Sequence, residues 1–166
     1  TAMNVAEAEA MLAAARSSGK VAMIAHEFRY TATRAYARSL IENGYIGKPT
    51  MVNVRMFTQP FIVPRPWGWL ADERMGGGYI FALGSHFIDA IRDMLGEFAG
   101  VQGRVDTVLP ERFKSDGTTA MATSDDSFFF HGALDNGVMV SVSASTGVHV
   151  GAGVSIEFYG TDGSIL

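Results

Sequence analysis

The chain has no cysteine, which excludes disulfides, thiolate metal sites and a cysteine nucleophile, and which suits a reducing cytoplasm. It has no apolar run near the roughly 20 residues that span a bilayer. Its opening residues form a polar-capped amphipathic pattern in place of a charged-then-apolar leader. The expectation is a soluble, cytoplasmic protein with no membrane partner. Basic residues are few, 13 Lys and Arg against 17 Asp and Glu, for a net charge of −4. They form no cluster that follows a phosphate backbone, so no nucleic-acid partner is expected. The 4 histidines include no pair at metal-ligand spacing, and no metal is expected.

What is present is apolar material: 48% of the 166 residues are hydrophobic, enough for one domain with a core, or a domain plus a piece of another. The chain is organised around residues 76–89, where Gly76-Gly77-Gly78 opens a helical pattern carrying His86. On helical geometry Ala82, His86, Asp89 and Asp93 share one face, and Ile80, Phe87, Ile91 and Met94 form an apolar stripe on another. His86 therefore lies off the stripe.

Asn4 and Glu7 have capping-box spacing ahead of an Ala-, Glu- and Met-rich helix that Gly19 ends. The short run 21–25, Val-Ala-Met-Ile-Ala, has the pattern of a strand buried on both faces, as in parallel sheets. One helix and one such strand make no sheet, so they read as the end of an α/β domain whose remainder is absent. His26-Glu27-Phe28-Arg29-Tyr30 follows at the carboxyl end of that strand, where open α/β folds place ligands. A helix is expected over 33–43, with Ala32, Ala35, Tyr36 and Leu40 at helical spacing and Gly44 as its left-handed cap. A two-faced strand is expected over 50–58.

Residues 59–75 are irregular, with Pro60, Pro64 and Pro66 and the large surfaces of Trp67 and Trp69, and read as a functional loop. After the central helix come a strand over 101–108, a mobile polar stretch over 110–126, and a hairpin of 128–134 with 138–145 about Asp135-Asn136-Gly137. Asn-Gly supplies the positive φ angles that a tight turn requires. A last strand alternates Val154, Ile156 and Phe158 with Ser155, Glu157 and Tyr159. The face opposite the aliphatic one carries Asn53, Arg55, Phe57, Met139, Ser141, Ser143, Ser145, Ser155 and Tyr159. It is polar but poor in charge, as expected of a surface covered by a second subunit or lining a cavity.

In chain order the pieces at 4–9, at 26–30, at 41–47, at 76–89 and at 158–163 (Phe-Tyr-Gly-Thr-Asp-Gly) resemble those of the Gfo/Idh/MocA oxidoreductases, the family of glucose-fructose oxidoreductase and inositol dehydrogenase. The resemblance implies an α+β fold: a large, mostly antiparallel sheet with helices packed on one face, preceded by the last helix and strand of a truncated Rossmann domain. Residues 1–26 would be the remnant of that NAD(P)-binding domain. Residues 27–166 would be the C-terminal substrate-binding and oligomerisation domain, itself truncated at its C-terminal end. The family's Glu-Lys-Pro motif with its catalytic lysine would fall just before Thr1, and the glycine-rich nucleotide fingerprint further upstream. The chain by itself is thus expected to be inactive.

The implied parent is an NAD- or NADP-dependent oxidoreductase of a sugar, inositol or related polyol, and a homo-oligomer formed through the sheet face. His86 matches the family's catalytic histidine, and imidazole is suited to taking a hydroxyl proton near neutral pH. Arg29, Tyr30, Trp67 and Asp89 are candidate substrate contacts, and His26 and Arg65 candidate cofactor contacts. Asp89 could pair with His86 across a helix turn, and most of these residues also have a structural reading, such as an ion pair for Arg29 or a solvated helix charge for Asp89. Two departures stand out. Ala82 occupies the position of the family's catalytic carboxylate, and no arginine follows Trp67 or Trp69 where several members carry a Trp-Arg pair. Ala82 keeps alternatives open: an NAD-dependent glycosidase-like member, or an inactive binding or assembly module.

Overall fold

The computed structural model describes residues 2–58 and 65–166; the Pro60 and Pro64 part of the expected loop lies outside the described residues. Helix α1 (Val5–Ser18) begins as its sequence dictates: Asn4 Oδ1 accepts from the Glu7 N–H at 2.9 Å, and Glu7 reaches back to the Met3 N–H at 2.8 Å. Gly19 closes it in the left-handed conformation. No residue of α1 is buried, and Val21 and Met23 beyond it are exposed.

The strand expected over 21–25 does not form. A parallel-sheet strand needs flanking strands to take its backbone hydrogen bonds, and the sheet of this chain lies elsewhere. A 3-10 turn (Glu27–Tyr30) then leads into α2 (Ala32–Glu42). Its bounds match the expectation, but its inward face does not. Ala37 is buried and Ile41 packs on the core, whereas Tyr36 is exposed. The stripe that faces inward runs through Arg34, Ala37 and Ile41, because Arg34 lays its guanidinium over the Phe28 ring at 4.3 Å.

The strands are β1 (Pro49–Phe57), β2 (Phe98–Asp106), β3 (Glu111–Phe113), β4 (Thr119–Met121), β5 (Ser127–Leu134), β6 (Met139–Ser145), β7 (Gly153–Gly160) and β8 (Ser164–Ile165). Six of them form one sheet in the order β2-β5-β6-β1-β7-β8. Only β1 and β6 run parallel, and the other pairs are antiparallel. The β5–β6 hairpin forms where it was expected, but its turn is centred on Asp135-Asn136, closed by the Gly137 N–H on the Leu134 carbonyl at 2.8 Å, and only Gly137 takes a positive φ, 85°. The stretch 110–126, expected to be mobile, instead forms the β3–β4 hairpin and ends in two aspartates that tie distant segments together.

Helix α3 (Ser85–Leu95) and a single π-helical turn before it (Ile80–Gly84) cover one sheet face together with α2. Phe87, Ile91 and Leu95 meet Val52, Val54, Phe130, Val140, Val142 and Phe158 in one core. The opposite face carries Asn53, Arg55, Ser141 and Ser143 in cross-strand register, with Phe129 and Met139 half exposed. The fold is thus a mixed α+β domain on a large, mostly antiparallel sheet. Among the described residues no helix is long and apolar enough to cross a membrane.

Candidate functional site

The triple glycine sets the position of the histidine-bearing helix. A Cβ on Gly77 would lie 2.5 Å from the Trp69 carbonyl oxygen and 2.7 Å from those of Leu70 and Asp72. Gly76 and Gly78 have φ 72° and 120°, conformations that residues with a Cβ rarely adopt. Glycine at all three positions lets the chain press against the preceding turn and start the helix there. Asp125 completes that start: its Oδ2 accepts from the Ile80 N–H at 2.9 Å, capping a backbone donor of the first turn. Burial pushes the Asp125 carboxyl above its usual range, against the pull of the Ile80 and Tyr79 N–H groups. The π-helical turn that follows is an irregularity often found at functional sites.

The structure brings four of the sequence candidates together. Arg29, on the 3-10 turn, meets Asp89 Oδ2 through Nε at 2.9 Å and Asp93 Oδ1 through Nη1 at 2.9 Å. Arg38 of α2 reaches Asp93 Oδ2 at 3.0 Å. His26 Nδ1 lies 3.2 Å from Asp89 Oδ1. Asp89 is therefore engaged by Arg29 and His26, and among the described residues His86 is not one of its hydrogen-bond or ion-pair partners. Burial alone would raise the Asp89 carboxyl, but the hydrogen bond and charge of Arg29, with His26, outweigh it and hold it below its usual range. Tyr30 is exposed at the end of the same turn.

His86 projects from the first turn of α3 into this cluster. Phe28 packs on its ring at a centroid distance of 4.3 Å, and His26 meets it edge-on at 5.2 Å. Its Nδ1 is buried and has no hydrogen-bond partner among the described residues; the nearest carboxylate oxygen, Glu27 Oε2, is 3.8 Å away. Ala82 stands one helical turn earlier and is half-buried. Sequence reasoning singled out the segment 26–30 but assigned nothing to Glu27 or Phe28. Their only signal was adjacency to His26 and Arg29.

Arg65 and Trp67 lie apart from that cluster. They line a cavity of about 190 Å³ together with Trp69, Tyr79, Asp125 and Asp126. Arg65 is buried, with Nη1 3.2 Å from Asp126 Oδ2 and Nη2 donating to the Thr146 carbonyl. Arg112 reaches the same Asp126 oxygen at 3.3 Å. The Arg65 guanidinium thus belongs to the frame of the cavity. The two candidate cofactor contacts thus lie in different places, His26 beside Asp89 and Arg65 in the cavity wall. Sequence reading missed Asp126, Asp125 and Arg112 because their partners are remote in the chain.

A model of the Gfo/Idh/MocA C-terminal domain matches residues 35–166. The chain belongs to the Gfo/Idh/MocA family. It is 29% identical to levoglucosan dehydrogenase of Pseudarthrobacter phenanthrenivorans over 96% of its length and 45% of that protein. It is 27% identical to 1,5-anhydro-D-fructose reductase of Ensifer adhaerens over 99% of its length and 46% of that protein. Levoglucosan dehydrogenase solved with NADH and levoglucosan superposes with a TM-score of 0.88 at 28% identity, covering 98% of this chain and 44% of that one. The chain thus spans less than half the length of these Gfo/Idh/MocA relatives, which are oxidoreductases.

Proposed function

We propose that this chain is the substrate-side domain of an NAD- or NADP-dependent oxidoreductase of a sugar or related polyol, with His86 as the group that takes or returns the hydroxyl proton. The observation that carries the reading is the placement of His86. It projects from a helix fixed by the triple glycine, with its ring held between Phe28 and His26. Oxidising an alcohol requires a base at the hydroxyl, and a positioned imidazole supplies one. Residues 1–26, with exposed Val5, Val21 and Met23, are read as the last helix and strand of a nucleotide-binding domain. That domain would hold the cofactor, with His26 and Arg65 as candidate further contacts. Trp67 and Tyr30 remain candidate sugar contacts.

The test is a full-length protein assayed for NAD(P) reduction across a panel of sugars and polyols. His86→Ala should lower turnover far more than cofactor affinity, by the 10²–10⁴-fold, roughly, that general acid–base groups contribute. Absence of cofactor binding and of turnover with every substrate would remove the proposal. The half-exposed Phe129 and Met139 on the uncovered sheet face support a homo-oligomer formed there, which sedimentation of the full-length protein checks.

Ala82 favours a second reading, in which the parent has left dehydrogenase chemistry for NAD-dependent glycoside cleavage or for binding alone. Ala82→Asp separates the two: a gain in dehydrogenase turnover marks the alanine as a loss, and no change supports different chemistry.

A further inference from the structure

We propose that Glu27 is the positioning residue for His86 in this protein, supplying from the 3-10 turn the carboxylate that α3 and its leading π-helical turn lack at Ala82. The inference rests on the reading of His86 as the acid/base group and adds a residue to that site.

It begins from the buried Nδ1 of His86, which has no hydrogen-bond partner among the described residues. A buried polar atom left without a partner is costly, so an acceptor or donor is expected within reach. The neighbours can be taken in turn. Phe28 packs against the imidazole and offers no acceptor. His26 presents a ring edge and directs its own Nδ1 to Asp89. Both oxygens of Asp89 receive Arg29, and Asp93 receives Arg29 and Arg38. Arg34 lies over Phe28 and is a cation, which cannot accept. Glu27 remains, with Oε2 at 3.8 Å from Nδ1. Its side chain is 65% exposed, and no hydrogen bond occupies its carboxylate among the described residues. A small side-chain rotation, closing the gap by about 1 Å, makes a normal hydrogen bond.

The chemistry follows from which nitrogen is then committed. A carboxylate accepting from Nδ1–H holds the imidazole in the tautomer whose Nε2 carries the lone pair, and stabilises the imidazolium once a proton arrives there. Phe28 adjoins Glu27 in the same turn and packs against the ring. One short element thus restrains the ring and supplies its acceptor.

The experiment uses the full-length protein with 15N-labelled histidine, in wild type, Glu27→Ala, Glu27→Gln and Glu27→Asp, with His86→Ala to assign the resonances. Because Glu27 is exposed, these variants should fold. In wild type the His86 signals should report a proton on Nδ1. In Glu27→Ala the tautomer population should move toward Nε2–H, and kcat should fall about 10- to 100-fold with little change in KM, as for loss of a group that orients a histidine. Glu27→Asp should recover part of both effects, and Ala82→Asp added to Glu27→Ala should restore the Nδ1–H signal. Identical His86 signals in wild type and Glu27→Ala would overturn the proposal, as would a loss of kcat with no change of tautomer. If the protein turns over no sugar or polyol, the oxidoreductase reading fails, while the nitrogen shifts still decide whether Glu27 holds His86.

Discussion

Arg29 meets Asp89 Oδ2 at 2.9 Å and, through a second nitrogen, Asp93 Oδ1 at 2.9 Å, so that one guanidinium ties the 3-10 turn to two successive turns of α3. The two carboxylates are 13% and 10% exposed. Arg29→Ala should therefore destabilise the fold by about 2 kcal/mol, read as a lower urea midpoint, because both acids lose a partly buried charged partner. The pH dependence has a definite sign. Asp89 is held below its usual range, so its contribution is present above that range and is lost as pH falls through the folded value. Arg29→Ala should lose more stability at neutral pH than in acid.

Glu157 makes the sharper acid prediction. It sits on the uncovered sheet face, where Asn53 Nδ2 donates at 2.9 Å, Tyr159 Oη at 3.0 Å, and Arg55 forms an ion pair. These donors, Asn53 foremost, lower its carboxyl from 4.5 to about 2. A depressed acid stabilises the folded state above its unfolded value, and the effect is lost as pH falls from 4.5 toward 2. Glu157→Gln should be less stable than wild type at neutral pH. Denaturant titrations of the two should converge toward the acid end of that window.

Gly77 has no room for a side chain: three carbonyl oxygens lie within 2.7 Å of where its Cβ would be. Gly77→Ala should cost about 1–3 kcal/mol through the backbone shift it forces. The shift should also displace the first turn of the helix bearing His86. The expected signature is a lowered thermal midpoint accompanied by a loss of turnover in the full-length protein. An exposed control, Gly117→Ser, has nothing within 4 Å of its Cβ position and should cost less, its strain arising only from φ 83°.

How much of this was legible in the sequence follows from the range of each interaction. The β5–β6 hairpin was readable because Asp135-Asn136-Gly137 marks its turn locally, and β7 because Ile156 and Phe158 alternate with Ser155 and Glu157. The helix limits of α1 were written in Asn4, Glu7 and Gly19. The run 21–25 has the apolar pattern of a buried strand but forms none here, because a strand needs neighbours that this chain does not bring to it. Residues 110–126 misled. Their polarity suggested mobility, but Asp125 caps Ile80 and Asp126 binds Arg65 and Arg112. At the site, helical spacing put His86 and Asp89 on one helix face, yet Asp89 is taken by Arg29, which lies 60 residues earlier. Sequence periodicity carries no information about such a partner.

Asp126 carries the largest predicted loss. It is 4% exposed and stands between Arg65 and Arg112, each 3.2–3.3 Å from the same oxygen, while the Val108 and Leu109 N–H groups donate to it at 2.9 and 3.0 Å. Ser127 Oγ adds a donor at 3.0 Å, so one carboxylate in the cavity wall joins Arg65, the stretch 108–112 and the start of β5. Asp126→Ala brings two buried positive charges together without the acid that bridges them. Breaking a buried ion pair from one side costs about 3–5 kcal/mol, and Asp126→Ala should fall in or above that range in urea unfolding. Asp126→Asn keeps one acceptor oxygen but turns an NH2 donor toward the other N–H, because Val108 and Leu109 donate to different oxygens, so it should recover only part of the loss. Destabilisation equal to that of Asp126→Ala would show that the one retained acceptor contributes little, and a near-neutral Asp126→Asn would show that the charge contributes little.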